Sequence, residues 1–171
     1  TTVAESVIKT TPVNLPANNG SQSIAYWYKI DANIVGPSVA VNLLGAGASG
    51  LQCGFRSSLV NCWKNGGTTL VNVTAPTAGL WHHIMYTFDG TNHSLYLNGI
   101  LVSTSVVAAD TGAASDFQVG YNSDATAEDW ENGEIDQVKV WNYEMTQAQV
   151  SYDYNRGKPI GHWKLDEVVG N

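Results

Sequence analysis

The stretch from Leu80 to Ser105, LWHHIMYTFDGTNHSLYLNGILVSTS, decides the fold. Within it, SLYL (94–97) and ILVSTSV (100–106) flank the dipeptide Asn98-Gly99. A two-residue type I′ hairpin turn needs positive φ at both central positions, and Asn and Gly are the residues that tolerate it. That turn pairs Leu97 with Ile100 and Leu95 with Val102 on one face. It places Tyr96 with Leu101 and Ser94 with Ser103 on the other. The first face is assigned to a core, because side chains along a strand alternate between two faces. The preceding run, LWHHIMYTF (80–88), is a further strand, set off by Asp89-Gly90.

Working outward, alternation with period two and clusters of turn residues continue through most of the chain. SIAYWYKI (23–30), VAVNLL (39–44), LQCGF (51–55), LVNCW (59–63), TTLVNV (68–73), FQVGY (117–121) and EIDQVKVW (134–141) all read as strands. One helix is predicted, in MTQAQVSYDYNRG. Thr146 caps it, Gln149 completes a capping box three residues on, and Gly157 stops it. Many short strands and one late helix predict an all-β fold. Two antiparallel sheets bury one face each against the other, a β-sandwich with one short C-terminal helix.

A chain of 171 residues suits one domain, and 43% hydrophobic residues supply one good core. Only 13% of residues are charged, against roughly 25% in ordinary soluble proteins. Gly, Ser, Thr and Asn carry the polarity, as on loop-rich proteins outside the cell. The formal net charge of -7 repels a polyanion, so nucleic acid is not an expected partner. No run of about 18 apolar residues exists to insert into a membrane. The opening TTVAESV reads as an excised or mature piece and decides nothing about secretion.

The two cysteines lie in LQCGFRSSLVNCWK. A two-residue turn at Ser57-Ser58 pairs 56 with 59, 55 with 60, 54 with 61 and 53 with 62. Cys53 and Cys62 then form a non-hydrogen-bonded pair with Cα atoms about 4.5 Å apart, within reach of a disulfide. A disulfide implies an oxidising compartment. The alternative is two unrelated buried thiols.

LWHHIMYTFDGTNHSLYLNGILVSTS resembles the central signature of laminin-G-like jelly rolls in the concanavalin A-like lectin/glucanase superfamily. The likeness consists of a Trp followed by His, an apolar strand, Asp-Gly, and a Leu-Tyr-x-Asn-Gly hairpin. SIAYWYKI is similar to the earlier strand with a central Trp, and NGEIDQVKVWNYEMTQAQV to the closing Gly-x-Ile-Asp strand and its capped helix. The resemblance covers most of residues 22–155 and implies a single jelly-roll domain over 1–171. It also makes GHWKLDEVVGN similar to the first strand of such a module. Residues 158–171 therefore either begin a following repeat or add a last strand here, anchored by Ile160, Trp163 and Leu165.

Several motifs bear on function. Glu134 and Asp136, two apart on one strand, sit within reach of the roughly 5–5.5 Å that separates the carboxyls of a retaining glycosidase. The laminarinase-like glucanases that the superfamily contains use E-x-D-x-(x)-E, with the first Glu as nucleophile and the last as acid/base. Gln137, Val138 and Lys139 offer no third carboxylate, and an ammonium is no substitute for a protonated Glu. Asp136 is expected to share a face with Val138 and Val140 and to turn toward the core as a structural residue. GAGASG (45–50) matches a dinucleotide fingerprint by letter, yet a strand follows it rather than a helix. His82 and His83 are adjacent on a strand, so they point to opposite faces and do not chelate one ion together.

NSDATAEDWENGE clusters Asp124, Glu128, Asp129, Glu131 and Glu134. Calcium prefers such oxygens, with Asp124 and Asp129 as the expected ligands, and the resemblance implies calcium as well. The alternative is a solvated acidic loop. Trp130, with Tyr121 and Asn122 before it, and Trp63 are expected ligand-binding residues. Sugar C–H faces lie on aromatic rings while amides and carboxylates take the hydroxyls. For Trp63 the competing role is core packing. These features point to a non-catalytic, lectin-like module that binds a glycan outside the cell, as part of a larger multidomain protein. The alternatives are an adhesive or structural spacer and a laminarinase-like glycoside hydrolase.

Overall fold

The computed structural model describes residues 8–10, 14–16, 19–31, 38–45, 50–64, 67–108, 114–120 and 133–156. Among the described residues, eleven strands form two sheets. The first is six-stranded, in the spatial order β1 (Ile8–Thr10), β10 (Ala114–Val119), β3 (Ser38–Gly45), β4 (Gly50–Arg56), β5 (Leu59–Lys64) and β6 (Thr69–Thr74). The second is five-stranded, in the order β11 (Gly133–Trp141), β2 (Gln22–Ile30), β7 (Trp81–Phe88), β8 (His93–Leu97) and β9 (Ile100–Ser105). Every neighbouring pair is antiparallel. The expected sandwich is therefore present. One strand, β1, has no counterpart in the sequence reading, because three residues are too few to show alternation.

Alternation builds the core. Ile24, Tyr26, Tyr28 and Ile30 of β2, with Ile84, Tyr86 and Phe88 of β7 and Leu95 of β8, face Val41, Leu43, Leu51, Phe55, Val60 and Val71 of the other sheet. The opposite face of the five-stranded sheet is covered by the helix α1 (Gln147–Asn155). There Ala25, Met85 and Tyr96 pack with Met145 and Val150. The capping box is formed: Thr146 Oγ1 accepts from Gln149 N at 3.4 Å, and Thr146 N donates to Gln149 Oε1 at 2.8 Å. The C-cap is Arg156 in the left-handed conformation, while Gly157 lies outside the described residues. Ser23 Oγ donates to Tyr143 O and accepts from Met145 N, which fixes the approach to the helix.

The Ser57-Ser58 turn has positive φ at both residues, 53° and 63°, and gives the expected register. Cys53 and Cys62 are disulfide-bonded with Cα atoms 4.2 Å apart, and both are fully buried.

Two β-bulges overturn parts of the sequence reading. The Asn98-Gly99 turn pairs Leu97 with Ile100 and Tyr96 with Leu101 as expected, but the register then shifts so that Leu95 faces Ser103 and Ser94 faces Thr104. Val102 is the extra residue. It does not join Leu95 in the core and is exposed, as are Ile100 and Leu101. Among the described residues β9 is an edge strand with one neighbour, and edges accommodate a bulge at little cost to pairing. On β11, Asp136 pairs with Trp27 while Lys139 pairs with Ala25, and Gln137 takes φ 50°. This extra residue reverses the alternation. Asp136 is exposed rather than turned inward, while Ile135, Val138 and Val140 pack against the core.

Candidate functional site

The register aligns three rows of side chains on the outer face of the five-stranded sheet. Trp81, Lys29 and Glu134 form the first row, His83, Trp27 and Asp136 the second, and Met85, Ala25 and Lys139 the third. The β11 bulge brings Lys139 onto this face, because without it Lys139 would point to the core. The helix lies over the third row and leans on the second. Lys139 Nζ meets Asp153 Oδ1 at 2.5 Å, and His83 Nε2 lies 3.1 Å from Asp153 Oδ2. Tyr154 stacks on Trp27 at 5.9 Å between centroids, and the Arg156 guanidinium sits 5.7 Å from the Trp27 ring.

The first row stays open. Lys29 Nζ bonds Glu134 Oε1 at 2.5 Å, with the Glu134 side chain 61% exposed. Trp81 is 41% exposed. Beside the row lies a cleft of about 360 Å³, lined by Lys29, Ile30, Asp31, Gly79, Gly133 and Glu134. Gly79 N donates to Ile30 O at 2.8 Å and Gly133 pairs with Ile30, so the cleft is framed by backbone at one end of the sandwich. A Cβ on Gly133 would approach Tyr28 Cε2 to 2.7 Å, which explains a glycine at this strand start.

Two carboxylates of β11, Glu134 and Asp136, lie on this face, without the third that the E-x-D-x-(x)-E pattern adds. Glu134 is engaged by an ammonium, and the position three beyond Asp136 holds Lys139, itself tied to the helix. Among the described residues, no group of three His, Cys, Asp or Glu side chains is placed to hold a metal. No described helix is long and apolar enough to cross a membrane.

Tyr121, Asn122, Asp124, Asp129 and Trp130, the expected ligand and calcium residues, lie outside the described residues. The residues that bracket them do not. Gly120 N bonds Ala40 O at 2.9 Å, and Gly133 borders the cleft. Trp63 is placed elsewhere, on β5 opposite Gln52 and Thr69, toward the other end of the sandwich. It is 5% exposed, with the Arg56 guanidinium 5.9 Å from its ring, so it is packed rather than presented to solvent. Sequence reasoning did not single out Lys29, Trp27 or Trp81 as site residues. The signal was there for two of them: alternation in SIAYWYKI sends Ala25, Trp27 and Lys29 to the face opposite Ile24 and Tyr26.

The histidines behave as separate groups. His82 lies near the rim, with Nε2 3.0 Å from Thr77 O and Nδ1 3.2 Å from the Asn98 amide. His83 is buried under the helix, and its Nδ1 has no hydrogen-bond partner among the described residues. Burial pushes its pKa below the ordinary value, against the opposing pull of Asp153. His93, stacked on Phe88 and near Val107 O, is lowered by burial as well. A base whose folded pKa is depressed binds fewer protons folded than unfolded. Its contribution is complete above the unfolded value of about 6.5 and is lost as the pH falls below it. The urea midpoint is accordingly expected to fall between pH 7.5 and pH 5.5. An NMR titration should show the His83 and His93 rings protonating only below the ordinary histidine value.

The fold has wide company. The binding domain of botulinum neurotoxin serotype D superposes with a TM-score of 0.73 at 14% identity, over 90% of this chain and 41% of that one. The binding domain of botulinum neurotoxin DC in complex with SialylT gives 0.64 at 17% identity, over 82% and 36%. Domain 4 of AbnA, a GH43 extracellular arabinanase from Geobacillus stearothermophilus, in complex with arabinotriose, gives 0.61 at 20% identity, over 82% and 68%. The chain thus spans about two fifths of the serotype D binding domain. No curated protein sequence matches the chain. A family model of laminin-G type, described as the concanavalin A-like lectin/glucanases superfamily, matches residues 3–151. Signature hairpin, closing strand, capped helix and two-sheet sandwich all agree with that match, and the chain belongs to this laminin-G-like family of the concanavalin A-like superfamily.

Proposed function

We propose that this chain is a non-catalytic carbohydrate-binding module of a secreted or cell-surface multidomain protein. The carrying observation is the outer face of β11: the strand that spells half a glucanase motif offers Glu134 clamped by Lys29, and Lys139 in place of the acid/base. Such a face can hold hydroxyls, and where the glucanase pattern has its third carboxylate it offers an ammonium tied to Asp153. Structural neighbours carrying arabinotriose and SialylT support the reading, and the disulfide supports an oxidising compartment. In this reading Trp130 is a stacking ring, and Tyr121 and Asn122, earlier in the same segment, are further ligand residues.

Two measurements test this. Incubation with laminarin, mixed-linkage β-glucan, agarose and xylan should release no reducing ends. Activity lost in Glu134→Gln would show a glycosidase instead. Electrophoresis through gels containing soluble polysaccharides should retard the chain on at least one. Trp130→Ala should abolish that retardation and leave the melting temperature unchanged, whereas a core Trp would cost about 3–5 kcal/mol.

Calcium at Asp124 and Asp129 is part of the proposal, on the preference of that ion for clustered carboxylate oxygens. An ion bound only to the folded state raises the melting temperature by mass action. The midpoint should be higher in excess calcium than in chelator, and Asp124→Ala should remove the difference. Equal midpoints for the parent chain would remove calcium from the account.

A further inference from the structure

We propose that the open first row of the five-stranded sheet is a platform for a neutral, hydroxyl-rich saccharide. Trp81 is the stacking ring, and the Lys29–Glu134 pair clamps the hydroxyls. The proposal rests on the carbohydrate-binding reading and gives it a place and a ligand class.

Three observations carry it. Trp81 presents 41% of its surface to solvent on a sheet face whose other half is sealed by the helix, and it belongs to neither apolar cluster. A large indole left open beside charged groups matches what a pyranose or furanose ring requires, an apolar plane with polar groups at its rim. Trp27, diagonal to Trp81 and about 7–8 Å away by sheet geometry, is covered by Tyr154 and Arg156 and bounds the platform on the helix side. Lys29 and Glu134, adjacent to Trp81 in the same row, present donors and acceptors together, as vicinal hydroxyls demand. The cleft beside them, about 360 Å³, falls in the range of about 300–1,000 Å³ for small-molecule pockets.

Charge selects the class of sugar. In the cleft the one described ammonium, Lys29, is already paired with Glu134, and Asp136 is exposed in the next row. Of the other described cations on this face, Arg156 lies over Trp27 and Lys139 is paired with Asp153. The whole chain carries a net charge of -7. A uronate, sialylated or sulfated glycan meets repulsion both locally and from the protein's field, which is how a site rejects a ligand of similar shape.

The test is isothermal titration of the full chain with two panels. One panel is neutral: arabino-, xylo-, cello- and laminari-oligosaccharides. The other is acidic: oligogalacturonate, sialyllactose and heparin oligosaccharides. Trp81→Ala and Glu134→Gln are run beside the parent, with melting curves to verify folding. The expected result is binding of a neutral member, weakened about tenfold or more by Trp81→Ala and reduced by Glu134→Gln. Should Trp81→Ala fail to fold, Glu134→Gln and Trp81→Phe carry the test, the first weakening binding and the second retaining most of it. Neutral binding that folded Trp81 and Glu134 variants leave intact would overturn the platform and leave the carbohydrate-binding reading standing. Binding of acidic glycans alone would overturn the ligand class. Absence of binding to both panels would overturn the platform together with the reading it rests on.

Discussion

Leu95→Ala is expected to destabilise the fold by about 2–5 kcal/mol, while Val102→Ala changes it by about 0.5 kcal/mol or less. The two residues look equivalent in the hairpin SLYLNGILVS, where a regular ladder would pair them across the core. In the structure Leu95 is fully buried between the sheets, among Tyr86, Ile84 and the facing strands. Truncating it removes transfer free energy and leaves a cavity that a close-packed interior fills only in part. Val102 is the extra residue of the β9 bulge and is 37% exposed, so its methyls lose little when removed. Urea denaturation of both variants checks this. Equal losses would mean that the regular register holds and the bulge does not.

The disulfide carries the second large effect. Cys53→Ala combined with Cys62→Ala is expected to cost about 2–4 kcal/mol. The bond closes a loop with a sequence separation of 9 within the unfolded chain, and both sulfurs are buried in the six-stranded sheet. Lost chain constraint and lost packing therefore act in the same direction. The intact protein should weigh about 2 Da less than its reduced form. Because both sulfurs are engaged in the bond, thiol reagents should label neither cysteine, in denaturant or without it, until a reductant is added. A double variant as stable as the parent would show that the bond contributes nothing to the fold.

Most of the sandwich was legible in the sequence because most of it obeys one rule, period-two alternation broken by turn residues. β2 and β7 alternate without interruption, and the Asn98-Gly99 and Ser57-Ser58 turns set the registers of their flanking pairs. What alternation cannot show is an inserted residue. A bulge leaves no mark in composition, since Gln137 and Val102 are both ordinary strand letters, yet each reverses the faces of everything after it. That is why Asp136, read as a core residue, stands in solvent, and why Val102, read as core, lies on an edge. The same insertion on β11 turns Lys139 onto the face of Glu134, where its ammonium meets the helix through Asp153.

The candidate site was legible only in part. Glu134 drew attention because carboxylates are chemically conspicuous, and Trp130 because its neighbours are acidic. Trp81 and Lys29 were read as strand letters, since nothing local says which outward-facing residues a later helix will cover. That selection is tertiary. α1 packs on Ala25, Met85 and Tyr96 and stops at Arg156 over Trp27, so the row of Trp81, Lys29 and Glu134 is what remains uncovered.

The central claim, that this jelly roll holds glycans and cuts none, is tested most directly by a glycan array probed with the intact chain in calcium and again in chelator. The account predicts retention on a restricted set of glycans, strongest in calcium, with the bound glycans recovered at their original length. Retention on no glycan in either condition, or shortened glycans after incubation, would contradict it.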